Sequence, residues 1–567
     1  MEVRFLGPLG KVTGSCAWLR DEARGWSFLV DCGMQQGERT ATQWNKGTWP
    51  FDPSSIQFVV LTHAHIDHCG LLPLLYKQGF KGTVFCTRET QAFATILLKD
   101  AAMLSQLYTA EDIDRIEWRE HRIGPLLGGF LPVSDDLFIR YFRTGHVIGA
   151  VSVAIHWGQK GPGQRSIVFS GDLGPNREDQ EYLPFIRHQM NAGPFDFAVV
   201  ESTYGATVRP AEQLCANIRR NNLCKLLDRI LETGGTLLIP AFSFGRTQDV
   251  LFDLHWIVAE APERYAEVNF YLDSPSAIRM HPAMLEALKR TESNGRHQKV
   301  RPLWLGKQMF QWFGLKDEKP DHIDALITLC EMCLSDKRQR HGRVRNVGNH
   351  LAHSWRPVFE HVSGNREALH RAIGTPAVVV SSAGSCDGGP AQWWVQRLAN
   401  SSSNAIAFAG YCSAESAGGQ ILAVAQLPMK ERQRHNSRVS WANGDVLSYR
   451  EISAEVTALS GYSAHADQTG ILAWIFSTSP KTGDLYSVAK HIFIQHGNDG
   501  EREALAAQIN HTGDRGGFEL EVMMPRDPEE WFNLEAESDG EKLKKRELEL
   551  KKEIQRIEAE LKLLNRP

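Results

Sequence analysis

The stretch Leu61-Thr62-His63-Ala64-His65-Ile66-Asp67-His68 decides how this chain is read. An apolar strand signal, Phe58–Leu61, runs straight into it. In an extended segment, residues two apart point the same way, so His63 and His65 can converge on one ion. Asp67 and His68 lie on the following turn and can reach a second ion. Imidazole with carboxylate suits zinc, and no thiolate is required. A polar loop of solvated histidines is the competing reading. Three His and one Asp within six residues at a strand end disfavour it, because clustered imidazoles are usually paired or metal-bound.

Two further stretches carry the same donor types. Thr144-Gly145-His146-Val147-Ile148-Gly149-Ala150 places a histidine after a strand signal at Leu137–Phe142. Phe169-Ser170-Gly171-Asp172-Leu173-Gly174 places an aspartate at the end of the apolar run Ile167–Phe169. Either alone would be read as structural. The family resemblance set out below implies that, together with His63–His68, they complete a two-metal set in which Asp172 can bridge the ions. Paired ions about 3.5–4 Å apart clamp the attacking and leaving oxygens of a displacement.

The bulk numbers frame this site. The chain has 567 residues, 42% hydrophobic and 23% charged, a prior of roughly three or four domain-sized units. Such composition excludes a disordered, collagenous or disulfide-stapled protein. Lys plus Arg is 63 and Asp plus Glu is 67, a formal net charge of −4. No global basic field exists to hold nucleic acid, so a basic surface must be local, in a cleft or on the run Lys337–Arg345. Two bound zinc ions would add positive charge that side-chain counting omits. Ten dispersed cysteines favour a reducing compartment, and a cytoplasmic location is expected. No secretion signal and no run of about 18 apolar residues is evident, so no membrane partner is expected.

The texture along the chain sets the organisation. Strands and helices mix over the first 200 residues, as in sheets with helices packed outside. Near residue 205 helices begin to alternate with apolar strands, among them Thr236–Ala241, Ala377–Ser381 and Ala405–Phe408, a parallel α/β signature. From about 536, Leu543, Leu550, Ile554, Ile557, Leu561 and Leu564 mark about three heptads. This helical tail is expected to self-associate or to bind a protein partner.

The pattern His-x-His-x-Asp-His, followed in order by His146 and Asp172, resembles the metallo-β-lactamase superfamily. Later motifs narrow the resemblance to its β-CASP branch of nucleases. Glu201-Ser202-Thr203-Tyr204-Gly205 resembles the first extra motif, Gly461-Tyr462-Ser463-Ala464-His465-Ala466-Asp467 the second, and Gln495-His496-Gly497 the third. Supporting matches are Pro240–Arg246, Tyr271–Pro275 and Ser381–Gly384. The chain looks like prokaryotic RNA-processing nucleases related to the cleavage and polyadenylation endonuclease subunit and ribonuclease J.

This resemblance implies an α/β fold, a four-layer αββα sandwich interrupted by an inserted α/β β-CASP domain. The implied division is 1–204 and 436–530 for the sandwich, 205–435 for the insert and 536–567 for the helical or coiled-coil tail. It implies two zinc ions, one held by His63, His65, His146 and Asp172, the other by Asp67, His68, Asp172 and His496. An activated water oriented by Asp67 would attack phosphorus. His465, held by Glu201, would protonate the leaving oxygen. The implied products are a 5′-phosphate and a 3′-hydroxyl.

His496 in the third motif leans the substrate to RNA within this family. A DNA nuclease acting on single strands is the alternative, and a non-catalytic RNA-processing scaffold a further one. The insert would wall a polymer cleft cut by an endonuclease, a 5′-exonuclease or both. Phosphate contacts are expected from Arg246 at a helix start and from Ser381, Ser382 and Gly384 after an apolar strand. A Gly-Arg pair usual in the family is absent from Gly410–Gln420. Cys330 and Cys333 could hold a further structural zinc, but a single Cys-x-x-Cys is weak, and two small residues on one helical face is the favoured reading.

Overall fold

The computed structural model describes residues 1–36, 42–121, 129–159, 161, 164–191, 193–293, 300–342, 344, 347–362, 366, 369–370, 373, 375–434, 436–478 and 483–535. The expected tail at 536–567 lies outside the described residues.

Three sheets of six or seven strands organise the chain. In the first, the spatial order is Phe532–Asn533, Glu2–Leu6, Cys16–Asp21, Trp26–Val30, Phe58–Val60, Thr83–Cys86 and Glu117–Glu120. In the second it is Glu521–Met523, Ala489–Gln495, Phe195–Glu201, Arg165–Phe169, Val151–Trp157, Leu137–Arg143 and Leu131–Ser134.

Alternation along the strands builds the layers, because successive side chains of a strand point to opposite faces. Ile167, Phe169, Phe197, Val199 and Phe493 face the first sheet and share its core. Val168, Ala198, Val200, Ile492 and Ile494 face outward and are covered by Trp474, Ile475, Leu505 and Ile509. The last four come from the helices Gln468–Ile475 and Asp499–Gly516. Phe5 of the first sheet meets Phe493 of the second with ring centroids 5.2 Å apart. The first sheet is covered outside by helices such as Arg88–Ser105, whose Phe93, Ala94 and Leu98 are buried. The result is the αββα sandwich implied by the motifs.

The third sheet belongs to the inserted segment. Its order is Glu360–His361, Asn269–Asp273, Ala377–Ser381, Thr236–Pro240, Ala405–Phe408 and Glu455–Ala458. All its pairings are parallel. The central strands are apolar on both faces because helices cover both, as parallel sheets require. Leu238, Val379 and Ile406 pack with Trp394 and Ile421. Leu237, Val378 and Ala405 belong to the opposite core, with Leu223 and Leu254.

The inserted sheet takes a strand from beyond residue 435. The strand Glu455–Ala458 lies beyond residue 435, yet it pairs with Ala405–Phe408 in the inserted sheet. The hairpin Arg438–Ser440 with Val446–Ser448 also places Val439 and Leu447 in that core. Strand texture alone does not say which sheet a strand joins, and short strands with one polar face suit either edge.

Among the described residues, no helix is long and apolar enough to cross a membrane. All ten cysteines are free thiols. Cys330 and Cys333 are buried in the helix Pro320–Leu334, and no metal-capable donor group among the described residues includes them. In the basic run, Lys337 pairs with Glu360 and Arg338 with Asp336.

Candidate metal and catalytic site

The strands Arg165–Phe169, Phe195–Glu201 and Ala489–Gln495 run parallel, so their carboxyl ends share one edge of the second sheet. Asp172 follows the first strand, Glu201 ends the second, and His496 follows the third. The strand Val151–Trp157 runs antiparallel beside them, which brings the preceding His146 to the same edge. From the facing sheet, Phe58–Val60 delivers His63 and His65, and the short helix Ile66–Cys69 carries Asp67 and His68.

The metal loop is held by its backbone. The carbonyls of Ile66, Asp67 and His68 accept from the amides of Met34, Ser15 and Cys32. Gly33 permits this close packing: a Cβ there would lie 1.7 Å from the Asp67 carbonyl oxygen. Gly174 plays the same part for the His146 loop, 1.7 Å from the Gly145 carbonyl oxygen by the same measure.

The donor atoms fall into groups. His63, His65, His146 and Asp172 each offer one atom within 4.8 Å of the others, and so do Asp67, His68 and His496. In the first group His65 Nδ1 is 3.1 Å from His63 Nε2 and 3.0 Å from His146 Nε2. Asp172 Oδ2 is 3.4 Å from both Nε2 atoms. In the second, His68 Nε2 is 3.2 Å from His496 Nε2 and 3.2 Å from Asp172 Oδ1. Asp67 Oδ2 is 3.5 Å from His496 Nε2.

These spacings fit a divalent ion. Donors that share one ion at about 2.0–2.1 Å lie roughly 3 to 3.4 Å from each other. Hydrogen bonds outside the cluster orient three of the rings. Thr62 gives its one hydroxyl proton to Asp31 Oδ2 at 2.9 Å, so its oxygen accepts from His63 Nδ1 at 3.1 Å. His146 Nδ1 donates to the Ala464 carbonyl at 3.0 Å, and His68 Nδ1 donates to Asp31 Oδ2 at 2.8 Å. In His63 and His146 the proton on the far nitrogen leaves the inward nitrogen as a bare lone pair, the tautomer a metal ligand needs. Burial drives His63 and His146 well below the usual imidazole range and His65 down to about 4, so these rings stay neutral. Asp172 Oδ1 is buried without a hydrogen-bond partner among the described residues. An orphaned buried carboxylate oxygen is the cost of a site shaped for cations.

Asp31 was not among the expected site residues. It follows the apolar strand Trp26–Val30 directly, the same strand-end signal that marked Asp172. Its φ of 60° is left-handed, uncommon for a residue with a side chain. There Oδ1 accepts from the Thr62 amide at 2.8 Å while Oδ2 holds His68. Burial alone would lower the His68 pKa, but Asp172 and Asp31 outweigh it and raise it well above the usual value. Asp31→Ala is expected to weaken divalent-metal affinity about 10- to 100-fold, the usual effect of losing such a supporting group. Titration of the metal-depleted protein, read by metal content after dialysis, checks this; unchanged affinity would remove Asp31 from the site.

A third group joins Asp172, Glu201 and His465. Glu201 Oε1 accepts from the Leu173 amide at 2.7 Å and Oε2 from the Thr203 amide at 3.0 Å. Thus fixed, Oε1 lies 3.2 Å from His465 Nδ1. His465 Nε2 points at the cluster, 3.9 Å from Asp172 Oδ2. Burial opposes the charged form of His465, but Glu201 and Asp172 outweigh it and raise its pKa. Arg209, also not foreseen, braces this loop by donating to the His465 carbonyl and to Ser463 Oγ, both at 2.9 Å.

The expected phosphate contacts are not assembled into an open cradle. Arg246 is buried, pairs with Asp249 at 2.8 Å and donates to the Tyr462 carbonyl at 2.9 Å. Ser381 Oγ donates to the Asp273 carbonyl, and Ser382 Oγ accepts from Ser274, both at 2.9 Å. Gly384 packs against Phe242. The helix start at Arg246 is also closed, since the Thr247 amide bonds the Phe242 carbonyl. Ser, Gly and Arg in strand-to-helix turns served the interior instead, which residue type alone could not distinguish.

Comparison with known proteins agrees with this geometry. Residues 9–209 match the metallo-beta-lactamase superfamily, 247–421 the Beta-Casp domain, and 449–525 the Zn-dependent metallo-hydrolase RNA specificity domain. Ribonuclease TTHA0252 of Thermus thermophilus is 30% identical over 84% of this chain and 90% of its own length. The chain belongs to the Beta-Casp branch of the metallo-beta-lactamase superfamily. Transcription termination factor FttA of Methanothermobacter thermautotrophicus is 23% identical over 89% of this chain and 68% of that protein. FttA of Methanocaldococcus jannaschii is 25% identical over 85% and 65%. As a Beta-Casp protein the chain is a metal-dependent hydrolase, and its His and Asp clusters are the groups that can hold the metal.

Proposed function

We propose that this protein is a zinc-dependent ribonuclease that hydrolyses RNA phosphodiester bonds with two metal ions, leaving a 5′-phosphate and a 3′-hydroxyl. The observation that carries the reading is the meeting of three donor groups on the single carboxylate of Asp172. His63, His65, His146 and Asp172 would hold one ion, and Asp67, His68, His496 and Asp172 the other. When bound, the ions supply Lewis-acid polarisation of the phosphate and activation of the attacking water.

The chain's own residues do the rest. Asp67, the most exposed ligand carboxylate, orients the water. His465 enters protonated, because Glu201 holds Nδ1 and favours the imidazolium; Nε2 then delivers the proton to the leaving oxygen. Thr203 Oγ1 and the bend at His496, with φ 51°, turn that ring toward His68.

RNA is favoured over DNA by the matched RNA specificity domain and by the ribonuclease relative. The domain reading is a sandwich from 1–204 and about 436–530 with the insert between, the strands of 438–458 joining the sheet and core of the insert. Heptad spacing supports association through 536–567, and ten free thiols support a cytoplasmic setting.

Matched RNA and DNA strands, linear and circular, test the reading. RNA is expected to be cut in zinc, with activity lost in a chelator and the apparent melting temperature lowered, and both restored by zinc. Faster cutting of DNA would overturn the substrate assignment. Cleavage and stability indifferent to the chelator would overturn the metal assignment. Cut circles would establish an endonuclease.

A further inference from the structure

In the inserted sheet the strands Thr236–Pro240 and Ala405–Phe408 are neighbours. From Pro240 the chain passes to Asn269–Asp273 on one side; from Phe408 it passes to Glu455–Ala458 on the other. The loops after these two strands therefore part at their carboxyl ends. A crevice opened in this way is where parallel α/β sheets bind ligands. Each loop leaves an aromatic ring in the open: Phe242 is 39% exposed and Tyr411 55%. A single exposed aromatic is ordinary, but two at one such crevice are not.

Their surroundings lead to the catalytic cluster. The ring of Tyr411 lies 6.4 Å from Tyr204, which lies 6.2 Å from His465. Arg209 places its guanidinium 4.5 Å from the centre of the Tyr204 ring. Phe242 is set by glycines: a Cβ on Gly410 would stand 3.4 Å from its ring, and one on Gly384 3.0 Å. Glycine backbone thus backs the ring on one side, and restricting its motion lowers the entropy lost when a flat ligand stacks on its open side.

We propose that Tyr411 and Phe242 are a stacking platform for the unpaired bases of RNA beside the scissile phosphate. The inference rests on the ribonuclease reading above. Stacking tolerates any base, because every base has a π face. It also grips RNA without a large basic surface, in keeping with the −4 net charge. Single strands fit this platform, since duplex bases are already stacked on each other.

The test is fluorescence anisotropy on the full-length protein with a labelled oligouridylate, in chelator to prevent cleavage, beside an abasic ribose-phosphate strand of equal length. Tyr411→Ala and Phe242→Ala are each expected to weaken oligouridylate binding roughly 5- to 150-fold. Tyr411→Trp should stay within about threefold of wild type, since it keeps the ring and loses the hydroxyl. The abasic strand should bind all four proteins alike. Unchanged oligouridylate binding by Tyr411→Ala, or an equal loss on the abasic strand, would overturn the platform alone if the wild type still cuts RNA in zinc. A wild type that neither binds nor cuts RNA would overturn the ribonuclease reading and the platform with it.

Discussion

Asp172→Ala is expected to lower kcat/KM for RNA by about 10³-fold or more while the protein stays folded. The magnitude follows from position. Asp172 Oδ2 lies 3.4 Å from His63 Nε2 and His146 Nε2, and Oδ1 lies 3.2 Å from His68 Nε2. One side chain therefore serves both metal-capable groups and faces His465. Metal ions contribute several kcal/mol of transition-state stabilisation, and each 1.4 kcal/mol is about tenfold. The imidazoles and histidine cations that hold the Asp172 carboxyl well below its usual range, against the opposing effect of burial, would lose their shared counter-charge. The side chain is small and sits past the end of its strand, so the sandwich core is untouched. Steady-state cleavage with circular dichroism and metal content on the same sample checks this. A folded variant as active as wild type would remove Asp172 from the mechanism.

Asp253→Ala should have the largest effect on stability. Asp253 is fully buried and accepts from Arg219 Nη2 at 3.1 Å, Arg220 Nε at 2.9 Å and the Tyr462 hydroxyl at 2.7 Å. Burial opposes its ionisation, but the two guanidiniums outweigh this and hold the carboxyl below its usual range. Removing the carboxylate leaves two buried cations without their shared partner, a change that costs about 3–5 kcal/mol. For a unit of this size the apparent melting temperature should fall on the order of 10 °C. Tyr462→Phe deletes one hydrogen bond to the same carboxylate and should cost about 1.5–3 kcal/mol. Differential scanning fluorimetry ranks the two. An Asp253→Ala protein melting with the wild type would show that the guanidiniums find other acceptors. Tyr462 sits three residues before His465, so the loss should also lower activity at temperatures where the inserted unit still holds.

The sequence was most legible where chemistry and spacing coincide. His63, His65, Asp67 and His68 fall within six residues at a strand end, and their geometry follows from strand and turn periodicity. Asp172 was legible as a strand-end residue, and Glu201 and His496 only through the family resemblance. Asp31 and Arg209 were not, because their work is to hold other side chains, and such partners are chosen by tertiary packing rather than by local pattern. Arg246 and Ser381 show the converse. Their residue types suit a phosphate, yet burial turned them to Asp249, Tyr462 and Asp273. The strand Glu455–Ala458 was visible as a strand, but a single chain cannot show which of two sheets will accept its edge.

The bond between Glu201 and His465 joins residues 264 positions apart in the chain. Most of what lies between them is the insert. A ribosome adding about 5–20 residues per second takes on the order of 10 to 50 s to cover that interval. During it the nascent chain already carries His63, His65, Asp67, His68, His146 and Asp172 but has neither His465 nor His496. A nuclease born beside the messenger that encodes it is in this way kept unfinished until the insert has been made.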